Sequence, residues 1–274
     1  MDKSTSLLRV KNIISVQSTV LNDLVGNQAA RYILSDKNYN FYEIPTVILT
    51  SHKAHKTTIQ LHSKNLNPWK IFSSIKKTYN LNKQDLTIVG YTPNLQTSKS
   101  ISKIIKNQKR ILLDPVMGDV GVGLYISKDV AQFFRKVVTK VSFISANFFE
   151  WSYLNYRNIN NYELPIIIKD LKIFSKMYKT QLLIRSIPYK GKLLNILCHK
   201  NEIWGITTPK INFKNRFHGA GDLSTALYAH YINEKVSLKQ ILESVTGDIF
   251  NLLAKRRSAS SRRTSFKAKN LNNL

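Results

Sequence analysis

Residues 217–231, FHGAGDLSTALYAHY, combine a glycine-flexed turn, a carboxylate and the start of an amphipathic helix. Gly219 and Gly221 permit a tight turn, with positive φ if required, and Leu223, Ala226, Leu227 and His230 or Tyr231 recur behind them at helical spacing. The helix is expected to begin at or just after Gly221. The backbone N–H groups of its first turn have no partner within the helix and sit at the positive end of its dipole, so together with the glycine turn they would form an anion hole. Asp222 lies beside that hole. A carboxylate there would take a proton from an attacking hydroxyl while the N–H groups stabilise charge on a transferred phosphoryl group. The same residues would equally serve as a capped helix behind an ordinary loop, and this motif alone leaves both readings open.

Further acidic and amide side chains bear on that choice. Asp114, Asp119, Asn147 and Glu150, like Asp222, each fall just after an expected strand or at a helix start. A hard divalent ion bridging phosphates needs oxygen ligands, often through water, and Asp114, Asp119 and Glu150 would supply them. In DPVMGDVGVGLY (114–125) an aspartate follows a buried strand, Pro115 stiffens the exit, and three glycines make the next loop mobile.

The elements that must position these residues alternate along the chain. Strands are expected at 12–18, 43–52, 86–91, 110–115, 141–147 and 181–186, with a hairpin of 193–199 and 202–209 turning around Lys200 and Asn201. Helices are expected at 26–35, from Pro68 to about 79, at 96–107, 129–138 and 163–178, then at 222–233 and from 238 to about 254, with a turn or short helix after Asn147. A polar stretch from 53 to 67 has no convincing periodicity. This alternation implies an α/β fold with a mostly parallel sheet covered by helices on both faces, and ligands at the carboxyl ends of its strands. No internal repeat or linker interrupts 1–254, so a single domain is expected there.

Bulk properties narrow the class. No apolar run approaches the ~20 residues that span a bilayer, and the N-terminal segment lacks the apolar core of a secretory signal. A single cysteine, Cys198, excludes an internal disulfide and agrees with a reducing compartment, so a cytoplasmic location without membrane contact is expected. The formal net charge is +26, from 42 basic and 16 acidic residues. Those lysines are dispersed among many asparagines and isoleucines, as an AT-rich coding sequence would produce, and nucleic-acid binding is the lesser reading. Charge concentrates only at 255–274, where seven basic residues, no acidic one and clusters of serine suggest a disordered tail.

The segments GNQAA, IPTVILTSH, GYT, DPVMGD with GLY shortly after, SANFFE and GAGDLSTALYA resemble, in order and spacing over 12–254, the pyridoxal kinases of the ribokinase-like family. GAGD and the N-x-x-E of SANFFE are similar to the wider superfamily; VQS, PTV and DPVMGD are similar to the vitamin B6 kinases. The hydroxymethylpyrimidine kinases are a related alternative. The resemblance implies a ribokinase-like three-layer fold, and transfer of the γ-phosphoryl of ATP to the 5′-hydroxyl of pyridoxal, pyridoxine or pyridoxamine, with Mg2+ and as a homodimer. It implies Asp222 as base and the amides of Gly219, Ala220 and Gly221 as the anion hole, Gly221 also touching the nucleotide. Asp114, Asp119 and Glu150 would manage magnesium and phosphate charge, and Asn147 would contact phosphates or the metal's waters. Ser18 and Thr46 would bind the pyridine ring's polar groups, Tyr91 and Tyr125 would pack on or cover the ring, and 119–125 would act as a lid. Three features depart from the family pattern: TVLND (19–23) after the first serine, His55 in place of a frequent tyrosine, and Arg185 where many relatives carry threonine or lysine near the nucleotide. His52 matches one branch. An arginine at 185 would reach a phosphate.

Overall fold

In the computed structural model, which describes residues 11–61, 66–157, 162–213, 217–234, 236–258 and 263–272, strand–helix alternation builds one ten-stranded sheet. In chain order the elements are β1 (Lys11–Val20), α1 (Gly26–Leu34), β2 (Tyr39–Leu49), β3 (Gln60–Leu61), α2 (Pro68–Thr78), β4 (Leu86–Val89), α3 (Leu95–Asn107) and β5 (Ile111–Leu113). A small hairpin follows, β6 (Gly118–Asp119) and β7 (Gly123–Leu124), then α4 (Lys128–Val137), β8 (Phe143–Asn147), α5 (Phe148–Leu154) and α6 (Leu164–Tyr178). The chain continues through β9 (Gln181–Tyr189), β10 (Lys192–His199), β11 (Glu202–Thr208), α7 (Ala220–Asn233), α8 (Leu238–Arg257) and β12 (Lys269–Asn270).

The sheet order is β12-β11-β10-β9-β8-β5-β4-β1-β2-β3. From β2 to β9 the neighbours are parallel, while β9 to β12 and the β2–β3 pair are antiparallel. The interior strands are nearly continuous runs of Ile, Leu and Val because both faces are covered. On one face Ile14, Val89, Leu113 and Ile184 pack with Phe72, Ile101, Phe134, Trp151 and Leu171 from α2 to α6. On the other, Ile13, Ile88, Leu112 and Leu183 pack with Ala29, Leu223, Tyr228 and Leu242 from α1, α7 and α8. This is the three-layer ribokinase-like arrangement.

Local chemistry starts the helices where the sequence suggests. Asn67, Asn94 and Ser127 cap α2, α3 and α4 with side-chain acceptors, and Ser237 with Gln240 forms a capping box at α8.

Two expectations are corrected. Residues 118–124, read as a loop opened by three glycines, pair as a hairpin: Gly118 with Leu124 and Asp119 with Gly123, with Gly121 and Gly123 at φ of 80° and 82°. Glycine here makes a tight turn rather than an irregular loop. The tail, expected to be disordered, is tied down at 263–272; residues 259–262 and 273–274 lie outside the described residues. Asn251 holds both the N–H and the carbonyl of Thr264, the Ala268 N–H donates to Glu243, and Lys269–Asn270 extends the sheet beside β11. Leu271 is 7% exposed and seats over Gly205, where a Cβ would stand 2.6 Å from its Cδ1. A short tail with one apolar anchor shows no periodicity, so this pairing left little trace in the sequence.

Candidate active site

The carboxyl ends of β1, β2, β4, β5, β8 and β9 meet the N-terminus of α7, and nearly all the chemistry-bearing residues collect there. Helix α7 begins at Ala220 with Gly219 as N-cap, one residue earlier than expected, and Leu223 is the first to donate back along the helix, to the Gly219 carbonyl at 2.9 Å. Gly219 adopts φ 95°, and a Cβ there would lie 2.1 Å from the Leu24 carbonyl oxygen. Both the turn and the crowding exclude a side chain. Gly221 differs: it is helical, not at positive φ, and a Cβ on it would lie 2.9 Å from Arg185 Nη1.

Asp222 is partly buried beside this turn, with the Gly26 amide donating to its carboxylate. Its pKa is raised to about 7, first by desolvation, then by the neighbouring Asp114 charge, against the opposing pull of the Gly26 amide and Arg185. A carboxylate so tuned is partly ionised near neutral pH and takes up a proton readily, which is what a base needs. Gly26 has φ 53° and lies so close to Ser18 that a Cβ would stand 2.2 Å from the Ser18 carbonyl oxygen.

Asp114 leaves β5 fully buried. The Thr225 hydroxyl donates to its Oδ2 at 2.5 Å and lies 2.9 Å from the Ser145 hydroxyl, while Arg185 Nη2 approaches Oδ1 at 3.4 Å. Burial pushes the Asp114 carboxyl up, and Arg185 and Thr225 hold it back. Thr225 was not anticipated, although its place three residues after Asp222 puts it on the same side of a helix.

Asn147 and Glu150 form a capping box on α5: the Asn147 side chain accepts from the Glu150 N–H, and Glu150 Oε2 accepts from the Asn147 N–H at 2.8 Å. Glu150 Oε1 accepts from the Met117 N–H at 3.2 Å. Burial and the Asp114 charge raise its pKa well above the usual range. The Asn147 amide nitrogen donates to the Gly118 carbonyl at 2.8 Å and to Asp119 Oδ1 at 3.0 Å, fastening the β6–β7 hairpin to β8. Tyr125, just past that hairpin, is 48% exposed; its phenol is pushed up by partial burial and then by Glu150, Asp119, Asp222 and Asp114, so one hydroxyl lies within electrostatic reach of all four carboxylates. Among the described residues no three His, Cys, Asp or Glu side chains converge to cage a metal ion alone.

The ring-binding candidates lie one strand further. The β1–β2 register shifts between Gln17 and Thr19, so Ser18 sits at a bulge facing Thr46 and Val47. Ser18 and Thr46 are buried, and the Thr46 hydroxyl donates to the Tyr91 carbonyl at 2.7 Å. Because the chain runs from β1 outward to β2 and returns to β4, this is where the strand order reverses, which is where open α/β sheets bind ligands. Lys53 donates to the Tyr91 hydroxyl at 2.8 Å and lies over its ring. Next to it, His52 stacks on His218 with centroids 3.9 Å apart, and the His52 N–H donates to Asp23 of the TVLND run at 2.5 Å. Lys53, His218 and Asp23 were missed as site residues; loop side chains with no regular spacing carry no signal of their meeting.

Fold and site thus define a three-layer α/β protein with a carboxylate beside a glycine-capped helix start. The family model described as phosphomethylpyrimidine kinase matches residues 43–246, and the chain belongs to that family. It is similar to pyridoxal kinase PdxY of Histophilus somni (strain 2336), 25% identical over 238 residues that cover 82% of this chain and 82% of that protein. Among solved structures, Plasmodium falciparum PdxK with the ligands AMP-PNP and PL matches with a TM-score of 0.79 at 22% identity, covering 95% of this chain and 99% of that one. Pyridoxal kinase from Leishmania donovani in complex with ADP and pyridoxamine matches with a TM-score of 0.76 at 22% identity, covering 93% and 90%. The fold of this chain is the fold of those pyridoxal kinases.

Proposed function

We propose that this protein phosphorylates the 5′-hydroxyl of B6 vitamers with ATP. The observation that carries the reading is Asp222 at the start of α7, its carboxyl raised to about 7, beside the first-turn N–H groups of that helix and within electrostatic reach of Asp114. The kinship with pyridoxal kinases, two of them bound to adenine nucleotides or analogues together with B6 compounds, supports the substrate pair.

Asp222 accepts the hydroxyl proton as the oxygen forms its bond to the γ-phosphorus; the bond from phosphorus to the bridging oxygen breaks and leaves ADP. The amides of Gly219, Ala220 and Gly221 receive charge on the transferred group. Ser18 and Thr46 address the ring's polar substituents, Tyr91 and Tyr125 cover its faces, and residues 119–125 close over the site to exclude water.

The donor set suits Mg2+ held jointly by protein and nucleotide: Asp114 and Asp119 offer hard oxygen ligands, and such ions take one or two carboxylates, phosphates and waters rather than an all-protein cage. When bound, the ion would neutralise phosphate charge. Glu150 spends both oxygens on backbone amides and serves this site mainly by holding Met117 and Asn147 in place. Asn147 and Arg185 would face the nucleotide phosphates. A cytosolic homodimer completes the reading, and sedimentation would test its assembly state.

The family description favours one second reading, phosphorylation of a hydroxymethylpyrimidine. Incubating the purified protein with Mg-ATP and each vitamer or hydroxymethylpyrimidine, with products resolved by mass spectrometry, separates the two. Phosphorylated vitamer is expected; phosphorylated pyrimidine alone would transfer the assignment, and no product from any would reject both.

A further inference from the structure

The C-terminal segment carries the one basic cluster that a dispersed composition does not account for. Four of the chain's eleven arginines, Arg256, Arg257, Arg262 and Arg263, fall within eight positions, interleaved with serines. The second pair opens the run Arg262-Arg263-Thr264-Ser265-Phe266. Paired arginines ending two residues before a serine, with a large apolar residue directly after it, suit an arginine-directed protein kinase: carboxylates in its cleft take the guanidinium forks, and an apolar pocket takes the following side chain. From Arg263 to Ala268 the backbone is neither helical nor paired in the sheet, and Arg263, Thr264 and Ser265 are exposed. The Ser265 hydroxyl has no hydrogen-bond partner among the described residues.

The same segment is held to α8 by a short series of contacts that runs back along the helix. Arg263, 83% exposed, approaches Asp248 at 3.7 Å. Asn251 takes the N–H and the carbonyl of Thr264, Phe266 lies edge-on to Phe250 with centroids 5.0 Å apart, and the Ala268 N–H donates to Glu243 Oε1 at 2.9 Å. Ser265 therefore sits between two ties that each lean on a carboxylate, Asp248 before it and Glu243 after it.

We propose that Ser265 is a phosphorylation site for an arginine-directed protein kinase, and that its phosphate loosens the C-terminal segment from α8. In the transfer the Ser265 oxygen bonds to the γ-phosphorus of ATP held by that kinase, the bond from phosphorus to the bridging oxygen breaks to leave ADP, and the hydroxyl proton passes to that kinase's base. Phosphoserine adds about two negative charges between Asp248 and Glu243, repels both, and competes with Asp248 for Arg263. Phe266 must leave Phe250 to enter the modifying enzyme, so docking on α8 and modification oppose one another. The phosphate shifts that balance toward release.

The test incubates the full chain with radiolabelled ATP and the catalytic subunit of cyclic-AMP-dependent protein kinase, beside a sample lacking that subunit, and locates the label by mass spectrometry of peptides. Label at Ser265 is expected, with none at that position in Ser265→Ala, and labelling about tenfold slower in Arg263→Ala, the scale of one charge-assisted contact. Leu271→Ala, which unseats the segment from Gly205, should label faster than wild type. In the phosphorylated protein the amides of Ala268 and Leu271, bonded to Glu243 and to the Ile203 carbonyl, should exchange with deuterium about tenfold faster through local opening. No label at Ser265, or a rate indifferent to Arg263→Ala, would overturn the site; exchange unchanged by the phosphate would overturn the release. Neither readout uses vitamer turnover, so failure of the pyridoxal kinase reading and failure of this inference are separate outcomes.

Discussion

At the residue scale, the site is a set of carboxylates arranged so that they do not all ionise alike. Asp222 is raised to about 7, chiefly by burial and then by Asp114. A base works only when ionised, so activity should be lost as pH falls through that value. The acid limb of kcat/KM for the vitamer, which reports the free enzyme, is therefore expected near 7. Asp114→Asn removes a negative neighbour and should move the limb to lower pH, whatever it does to the maximal rate. A limb that stays or moves up in Asp114→Asn would show that Asp222 is not the titrating group. Asp114, Asp119, Asn147, Glu150 and Asp222 were legible in the sequence because each follows a strand or opens a helix. Thr225, Lys53, His218 and Asp23 were not, because their roles arise from encounters between loops or across a helix face.

At the element scale, the start of α7 is the critical piece, and its two glycines serve different ends. Gly219 holds a left-handed φ of 95° against the Leu24 carbonyl. Gly219→Ala should lower stability by at least about 1–2 kcal/mol from the backbone alone, read as a shift of the urea midpoint, and should lower activity further by displacing the anion hole. Stability unchanged within about 0.5 kcal/mol would contradict the geometry, since that is the range of ordinary surface substitutions. Hydrophobic periodicity and caps such as Asn67-Pro68 and Asn94 made the long helices and buried strands legible. The two-residue strands β3, β6, β7 and β12 were not, because pairing alone defines them, and the polar opening of β2, Tyr39–Tyr42, gives no alternation to read.

At the scale of the whole molecule, the sheet sets strand ends from distant parts of the chain against one helix, and the C-terminal segment closes its far edge. Arg263 approaches Asp248 at 3.7 Å, Phe266 packs edge-on against Phe250, and Leu271 fills the space above Gly205. Leu271→Ala should cost about 2–3 kcal/mol, the lower part of the usual range for a buried leucine, measured by urea denaturation, with kcat unchanged because the site lies elsewhere. Loss of kcat without loss of stability would place the tail in the chemistry instead. The dispersed positive charge leaves that architecture intact, and among the described residues no helix is long and apolar enough to cross a membrane. The account as a whole is tested most directly by Asp222→Asn, assayed for vitamer phosphorylation with Mg-ATP and, in the same preparation, for AMP-PNP binding. The expected result is turnover reduced at least about 100-fold, the lower end of what general-base catalysis contributes, with AMP-PNP affinity kept within about threefold; turnover equal to wild type would contradict it.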